Sequence, residues 1–312
     1  MNIYYYVVLI PMINSTNIFN LLLVLFSCFF FKILNSKPKI LKNKIKKNVN
    51  ISILIPIYNE SENLKILIKN LFALENNIEV IFINDLSTDN SLDILKKNQE
   101  KNKYKIVNRK NKTGFVAGVL NEGLKFVSEK TDYIGVINGD CLFDIELIKN
   151  IKNLLQNYDI SVLNLSNTIL YPTNFCQYLV YMEKQFKNGL FKYSEASLNN
   201  GYFIKKNILE KVGGWDECCV TEDLKLNLLI KKHGYEIYQS DYEVIDNIPN
   251  SLSLLFNQKY RWIKGDIEER FKYGPKDIYE SVVIIYYIFP LFTLFSLLFY
   301  KLFIFEKILI MQ

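Results

Sequence analysis

Short apolar runs alternate with amphipathic stretches through the middle of this chain, and that alternation limits the folds open to it. The run Ile-Ser-Ile-Leu-Ile-Pro-Ile at residues 51–57 ends in a polar cluster, and leucines then follow at helical spacing over residues 64–71. The unit recurs with apolar runs at residues 78–83 and 133–137. Strands and helices that alternate in this way predict βαβ units, and therefore an α/β fold with a Rossmann-like, mainly parallel sheet and helices on both faces.

Polar clusters follow three of these predicted strands directly: Tyr58-Asn59-Glu60, Asn84-Asp85 and Asn138-Gly139-Asp140. The carboxyl ends of parallel strands meet at one edge of a sheet, where α/β folds bind their ligands, so we expect the three clusters to converge. Asn59, with Glu62 three residues later, also has the pattern of a helix capping box. No Gly/Ser-rich or Pro-rich linker interrupts residues 51–248, which favours a single domain over residues 48–248.

Asp140 is the candidate metal ligand of the third cluster. A carboxylate at the end of a strand suits Mg²⁺ or Mn²⁺, which prefer oxygen ligands, and Gly139 permits a close backbone approach. The alternative is a β-hairpin, because Asn-Gly between apolar runs is a strong hairpin signal. Asp85 has two interpretations as well. Together with Asp89 it forms a turn and caps the next helix, or its carboxylate accepts hydrogen bonds from a nucleobase or ribose.

The segment Thr221-Glu222-Asp223 opens an amphipathic stretch that runs to residue 230. One interpretation is a capping Thr followed by first-turn acids, which stabilise a helix. The other makes one of the acids a general base that takes a proton from an attacking hydroxyl. The second role requires partial burial, because a helix N-terminus on its own lowers the pKa of a carboxyl group.

Three residues with chemistry suited to a charged sugar ligand share one helix face: Gln258, Arg261 and Trp262, at spacing i, i+3 and i+4. Arginine can bind a phosphate through two parallel hydrogen bonds, and tryptophan offers a flat face for a sugar ring. An amphipathic helix at a membrane surface explains the same pattern, and the two interpretations are compatible.

Composition excludes several classes of protein. A single histidine excludes a multi-histidine metal site, and five cysteines without a CxxC pair indicate neither a zinc site nor a disulfide framework. The net charge of +6 comes mostly from lysine and does not indicate a nucleic-acid-binding surface. Neither GxGxxG nor GxxxxGK[ST] follows a strand, which argues against a dehydrogenase or a P-loop protein.

Apolar segments at both ends predict attachment to a membrane. Residues 282–300 contain no charge over 19 positions, and residues 18–34 are nearly as apolar, where a bilayer core needs about 20 such residues. Seven lysines between residues 32 and 47 indicate that the central body faces the cytoplasm. We therefore divide the remaining chain into three parts: a membrane segment at residues 1–36, interfacial helices at residues 249–277 and a second membrane segment at residues 278–312.

The order of these motifs resembles the family 2 glycosyltransferases, in particular the membrane-bound branch of cellulose, hyaluronan and mannan synthases and ceramide glucosyltransferase-like enzymes. The similarity covers residues 51–265 and lies in the runs SILIPIYNES, INDLSTD, NRKNKTGFVAGVLNEGL, INGD, GYFIKKNILEKVGGW, TED and QKYRW. It implies a GT-A fold, a UDP- or GDP-sugar donor, Mg²⁺ or Mn²⁺ as cofactor and inversion at the sugar carbon. It also implies a lipid or polysaccharide acceptor and a catalytic domain on the cytoplasmic side of the membrane.

The resemblance implies roles for individual residues. Asp223 becomes the general base, Asp140 the metal ligand of a D-x-D motif, and Glu222 a neighbour of the diphosphate and acceptor. The Q-x-x-R-W motif that closes over the diphosphate and acceptor comprises Gln258, Arg261 and Trp262. The residues of the nucleoside side are Ile57, Tyr58, Asn59, Asp85 and Asn138.

Two positions depart from the family pattern. Asn138 stands where the first acid of D-x-D is usual, and Val116 stands where the mannan and ceramide branch usually carries lysine. Both changes remove a charge, so a catalytically inactive binding or scaffold subunit is the rival hypothesis. Two spans are few for a secreting synthase, which leaves transfer of a single sugar, a short product or a partner membrane subunit open.

Overall fold

The computed structural model describes residues 44–71, 78–99, 104–193, 198, 200–247 and 251–273. Its strands are β1 (Ile51–Ile57), β2 (Ile78–Asn84), β3 (Lys105–Asn108), β4 (Tyr133–Ile137), β5 (Val162–Thr168), β6 (Gly201–Lys205) and β7 (Ile237–Ile245). Its helices are α1 (Ser61–Leu71), α2 (Ser91–Gln99), α3 (Phe115–Leu124), α4 (Ile145–Asn157), α5 (Phe175–Tyr193), α6 (Lys206–Val212), α7 (Glu222–Lys232) and α8 (Leu252–Tyr273).

The seven strands form one sheet in the order β3-β2-β1-β4-β6-β5-β7. Strand β6 pairs antiparallel with both of its neighbours, whereas the other pairs are parallel, so β6 alone is reversed. The carboxyl ends of the other six strands consequently share one edge with the residues that precede β6. The predicted mainly parallel α/β fold is confirmed.

Helices cover both faces of the sheet and form two apolar cores. On one face, α1, α2 and α4 bury Leu64, Leu95 and Ile148. On the other, α3 and α7 bury Leu120 and Leu226. Strands β1 and β4 lie between these layers and are buried along nearly their whole length, which explains why they read as continuous apolar runs rather than alternating ones.

Helices α5 and α8 pack together beside the sheet, with Cys176, Val180 and Leu255 in their contact. Among the helices in the described residues, none is both long enough and apolar enough to cross a membrane. The two predicted membrane segments, at residues 18–34 and 282–300, lie outside the described residues.

Candidate active site

The loops after β1 and β2 are joined through the side chain of Asn59. Its Oδ1 accepts hydrogen bonds from the backbone amides of Thr88 at 2.8 Å and Asp89 at 3.3 Å. The backbone amide of Asn59 donates to Ser87 Oγ at 3.0 Å. The predicted capping box is therefore wrong: Asn59 has a left-handed φ of 58° and turns away from α1, and Glu62 pairs with an exposed lysine instead. Asn59 holds two ligand-edge loops together.

Asp85 is fixed by Arg109, which sequence reasoning missed. Arg109 Nη1 donates to Asp85 Oδ1 at 2.5 Å, and Nη2 donates to the carbonyl oxygen of Thr113 at 2.6 Å. The two side chains are only 6% and 13% exposed, so the pair is shielded from water. The sequence contained a signal for this residue, since Arg109 is one of three arginines in the chain and directly follows β3.

The other predicted nucleoside residues differ in their access to a ligand. The side chain of Ile57 lies in the apolar core at 1% exposure, and Ile57 meets the ligand edge only through its carbonyl oxygen, which accepts the Asp85 amide at 2.8 Å. Tyr58 is half exposed, and the Lys112 Nζ lies 3.8 Å from the centre of its ring. Val116, where the related branch usually carries lysine, is exposed in the first turn of α3.

The turn after β4 is pressed against the end of β1. A Cβ on Gly139 would lie 2.5 Å from the Pro56 carbonyl oxygen and 2.6 Å from Ile57 Cδ1, so only glycine fits. The alternative of a hairpin at Asn138-Gly139 is wrong, because β4 leads into α4 and its neighbours in the sheet are β1 and β6. Burial, followed by the nearby carboxylates of Asp246 and Glu60, raises the pKa of Asp140 to about 7.

A polar network that the sequence did not reveal supports this turn. Asn138 Nδ2 donates to Asn200 Oδ1 at 3.2 Å, and Asn200 Nδ2 donates to Asp246 Oδ2 at 2.7 Å. The same Asp246 oxygen accepts a short hydrogen bond from Lys184 Nζ. These residues meet because β4, the start of β6 and the end of β7 share one edge.

The residues present fit a divalent cation. Ligand atoms of Asp140, Cys141 and Asp246 lie within 4.8 Å of one another. The Asp140 carboxylate is the hard oxygen donor that Mg²⁺ and Mn²⁺ prefer. Burial and the two carboxylates raise the pKa of the Cys141 thiol, so this soft donor stays protonated and contributes little to such a site.

Glu222 and Asp223 lie together at the start of α7. Burial and the Asp223 carboxylate raise the pKa of Glu222 to about 8, while Arg261 acts in the opposite direction. Burial also raises the pKa of Asp223, even though its Oδ1 accepts the Leu224 amide at 2.8 Å. The burial that a general base requires at a helix N-terminus is therefore present.

Thr221 does not cap α7, contrary to one of the two interpretations of this segment. Its side chain makes no capping hydrogen bond. It packs instead against α8, where a Cβ on Gly265 would lie 2.5 Å from Thr221 Cγ2. This close contact fixes α8 against the acidic pair, which places the exposed Arg261 near Glu222.

The rest of the Q-x-x-R-W motif lies on α8. Trp262 is partly buried, and Lys259 Nζ lies 4.8 Å from the centre of its ring. Lys259 also pairs with Glu183 of α5 at 2.5 Å, which joins the two helices. Gln258 is partly buried. Within the described part of the chain, no hydrogen bond or ion pair links Gln258 or Trp262 to the strand-end loops.

The acidic pair and the Asp140 turn are connected through Tyr202. Tyr202 pairs with Val136 of β4 in the sheet. The turn after β4 is held to the residues before β6 by the backbone amide of Asn138, which donates to the Asn200 carbonyl oxygen at 3.0 Å. The hydroxyl of the buried Tyr202 accepts a hydrogen bond from Trp215 Nε1 at 2.7 Å. Burial raises the pKa of the Tyr202 hydroxyl well above its usual value, and the negative charges of Glu222 and Asp223 raise it further. Asp85 and Asp140 thus lie at one edge of the sheet, and the acidic pair lies close enough to the Tyr202 hydroxyl to raise its pKa.

Comparison with protein families gives two overlapping matches. The model described as "Glycosyl transferase family 2" matches residues 52–195, and "Glycosyl transferase family group 2" matches residues 179–311. Poly-β-1,6-N-acetyl-D-glucosamine synthase of Staphylococcus aureus (strain COL) is 28% identical over 248 residues, covering 75% of this chain and 58% of that protein. The corresponding protein of Staphylococcus epidermidis is 27% identical, covering 73% of this chain and 57% of its own. The chain thus spans less than two thirds of the length of these relatives.

Solved structures show the same fold at low sequence identity. A mannosyltransferase from Pyrobaculum calidifontis, in complex with GDP-Man and Mn²⁺, matches with a TM-score of 0.66 at 15% identity. The match covers 86% of this chain and 76% of the mannosyltransferase chain. Glucosyl-3-phosphoglycerate synthase from Mycobacterium tuberculosis, in complex with Mn²⁺, UDP and phosphoglyceric acid, has a TM-score of 0.52 at 15% identity and covers 74% of this chain and 80% of its own.

Proposed function

We propose, on the premise that the chain belongs to glycosyltransferase family 2, that it is a nucleotide-sugar-dependent enzyme that transfers a sugar, with inversion, from a UDP- or GDP-sugar to a lipid or polysaccharide acceptor. The observation that supports the proposal is that Asp85 and Asp140 follow the parallel strands on either side of β1 at one edge of the sheet, with the Glu222–Asp223 pair close to Tyr202 of the adjoining strand. That edge is where an α/β fold binds a nucleotide.

Asp223 is the proposed base. A carboxylate with a raised pKa is a better proton acceptor than an ordinary one, so it can activate an acceptor hydroxyl for direct attack on the sugar carbon. A single displacement of this kind inverts that carbon and requires no covalent intermediate. Arg261, close to Glu222 and exposed, is positioned to bind the negatively charged leaving group.

The Asp140 end of the site receives the diphosphate. A bound Mg²⁺ or Mn²⁺ would supply positive charge to the departing diphosphate, with Asp140 as its protein ligand. Asp85, fixed by Arg109, and Asn59 then define the nucleoside side. Among donors, we place UDP-N-acetylglucosamine first for testing because the staphylococcal relatives are named as synthases of poly-N-acetylglucosamine.

We also propose that the enzyme works at the cytoplasmic face of a membrane. The apolar segments at residues 18–34 and 282–300 and the lysine-rich flank of the first segment support this placement. The surface of α8 supports it too, since large apolar side chains are exposed there, among them Leu252, Leu254, Phe256 and Tyr260. A partner membrane subunit remains part of the proposal for a polymeric product.

The test is calorimetry of the purified full chain with UDP-N-acetylglucosamine, UDP-glucose and GDP-mannose, each with and without Mn²⁺. We expect one donor to bind, and to bind tighter with Mn²⁺. Asp140→Asn should remove the metal dependence, whereas Asp93→Asn, an exposed residue of α2, should not. An inactive relative, the rival suggested by Asn138 and Val116, would show no metal-dependent donor binding with any member of the panel.

A further inference from the structure

Asp246 lies beside the proposed metal ligand although no sequence motif includes it. It follows β7 directly, and its side chain is only 4% exposed. The thiol of Cys141 stands between the two acids, 3.7 Å from Asp140 Oδ1 and 3.9 Å from Asp246 Oδ1. Their ligand atoms lie within 4.8 Å of one another. Two oxygens that hold one small divalent cation lie about 3–4 Å apart, so a small movement would let both acids bind the same ion.

Asp246 is nevertheless occupied by other partners. Lys184 of α5 is 12% exposed and forms an ion pair with Asp246 Oδ2, the same oxygen that accepts a hydrogen bond from Asn200. A buried carboxylate that already has an ammonium partner gains little from a second cation, because the pair would have to be broken and the ammonium left unpaired.

We propose that Lys184 is a positioning residue that withholds Asp246 from the metal, so that Asp140 binds the ion without it. The inference rests on the proposed function in its assignment of Asp140 to the metal. Asn138 adds no charge at the first position of the motif, and the nearby Glu60 already accepts a hydrogen bond from Asn63, so the free enzyme offers the ion few carboxylate ligands. The ion therefore binds weakly without nucleotide and tightly once a diphosphate supplies further oxygen ligands. Lys184 in this way couples metal binding to donor binding.

Removing the ammonium group of Lys184 tests whether it withholds Asp246 from the metal. Lys184→Met removes the ammonium group but keeps a long apolar side chain, and it releases Asp246 toward Asp140. We expect Mn²⁺ alone, measured by electron paramagnetic resonance on the full chain without nucleotide, to bind the variant at least about tenfold tighter than the wild type. Lys184→Arg keeps the charge and should bind Mn²⁺ as weakly as the wild type.

Two double variants locate the effect. Lys184→Met with Asp246→Asn, and Lys184→Met with Asp140→Asn, should each return the Mn²⁺ affinity to the wild-type level. The inference is wrong if Lys184→Met does not tighten Mn²⁺ binding, or if either double variant keeps the gain. Should Lys184→Met unfold, which thermal unfolding would reveal, Lys184→Gln replaces it with the same expectations.

The measurement does not depend on sugar transfer. A gain of Mn²⁺ affinity in Lys184→Met, in a protein that binds no nucleotide sugar, would support the arrangement of the two acids and reject the proposed function. Donor binding by the wild type, without a gain of Mn²⁺ affinity in Lys184→Met, would support the proposed function and reject the role of Lys184. A second readout is UDP: in the wild type it should increase Mn²⁺ affinity strongly, and in Lys184→Met the increase should be smaller, because the free variant already binds the ion.

Discussion

Gly139→Ala tests whether the close approach of the Asp140 turn to β1 matters for catalysis. The added Cβ would lie 2.5 Å from the Pro56 carbonyl oxygen and 2.6 Å from Ile57 Cδ1, where ordinary contact begins at 3.4 Å. Pro56 belongs to a central strand and cannot move away, so the turn itself must shift by about 1 Å, and with it Asp140. A displacement of about 1 Å in a catalytic group can lower the rate about 100-fold.

We therefore expect kcat/KM of Gly139→Ala to fall by about 100-fold, with a loss of unfolding free energy of about 1–3 kcal/mol from overpacking. The assays are steady-state transfer kinetics and urea unfolding. The matched control is Gly234→Ala at the far end of α7, where φ is +78° and an added Cβ would have no heavy atom within 4 Å. It should cost about 1–2 kcal/mol through backbone strain and leave kcat/KM unchanged. A folded Gly139→Ala variant with wild-type kcat/KM would refute the reasoning.

Three further substitutions test the acids individually. Asp223→Asn should lower kcat by at least about 100-fold while calorimetry shows unchanged donor binding, and normal turnover would exclude Asp223 as the base. Glu222→Gln should leave the acidic limb of the pH–rate profile in place, because a Glu222 carboxyl group with a pKa of about 8 is already neutral where Asp223 loses its proton; a limb that moved to lower pH would show that Glu222 carries its charge there. It should also raise stability at pH 8 but not at pH 4, since the folded-state pKa of Glu222 is raised from 4.5 to about 8 and its ionisation destabilises the folded state across that range. Asp85→Asn leaves Arg109 buried without its charged partner and should cost about 3 kcal/mol in urea unfolding, whereas Glu62→Gln at an exposed pair should cost less than about 0.5 kcal/mol; equal losses would mean that the Asp85 pair is solvated.

Patterns within short segments predicted much of this architecture. The runs at residues 51–57, 78–83 and 133–137 became strands with nearly the expected limits, because each is buried on both faces and is therefore mostly apolar. The convergence of the polar clusters followed from parallel strand direction alone. The reversed strand β6 was not predicted, since its direction depends on pairing with β4 and β5, which are distant in sequence.

The incorrect expectations have a common cause. Asn59 and Thr221 both have side chains that commonly cap helices, but neither caps one here. The Asn59 side chain accepts hydrogen bonds from Thr88 and Asp89, which are 29 and 30 positions later in the chain, and the Thr221 side chain packs against α8. Capping rules describe what a residue does when its own helix is its only partner. A neighbouring loop or helix that offers better contacts overrides them.

The amino-acid order by itself determined the strands at residues 51–57, 78–83 and 133–137 and the polar loops that follow them, since each depends on residues within about ten positions of one another. Only the tertiary structure decided which of the acids acquire partners. Asp246 meets Lys184 and Asn200 across separations of 62 and 46 residues, and Asp85 meets Arg109 across 24. Burial and charge act through distance in space rather than in sequence, so the raised pKa values of Asp140 and Glu222 follow from the folded chain alone.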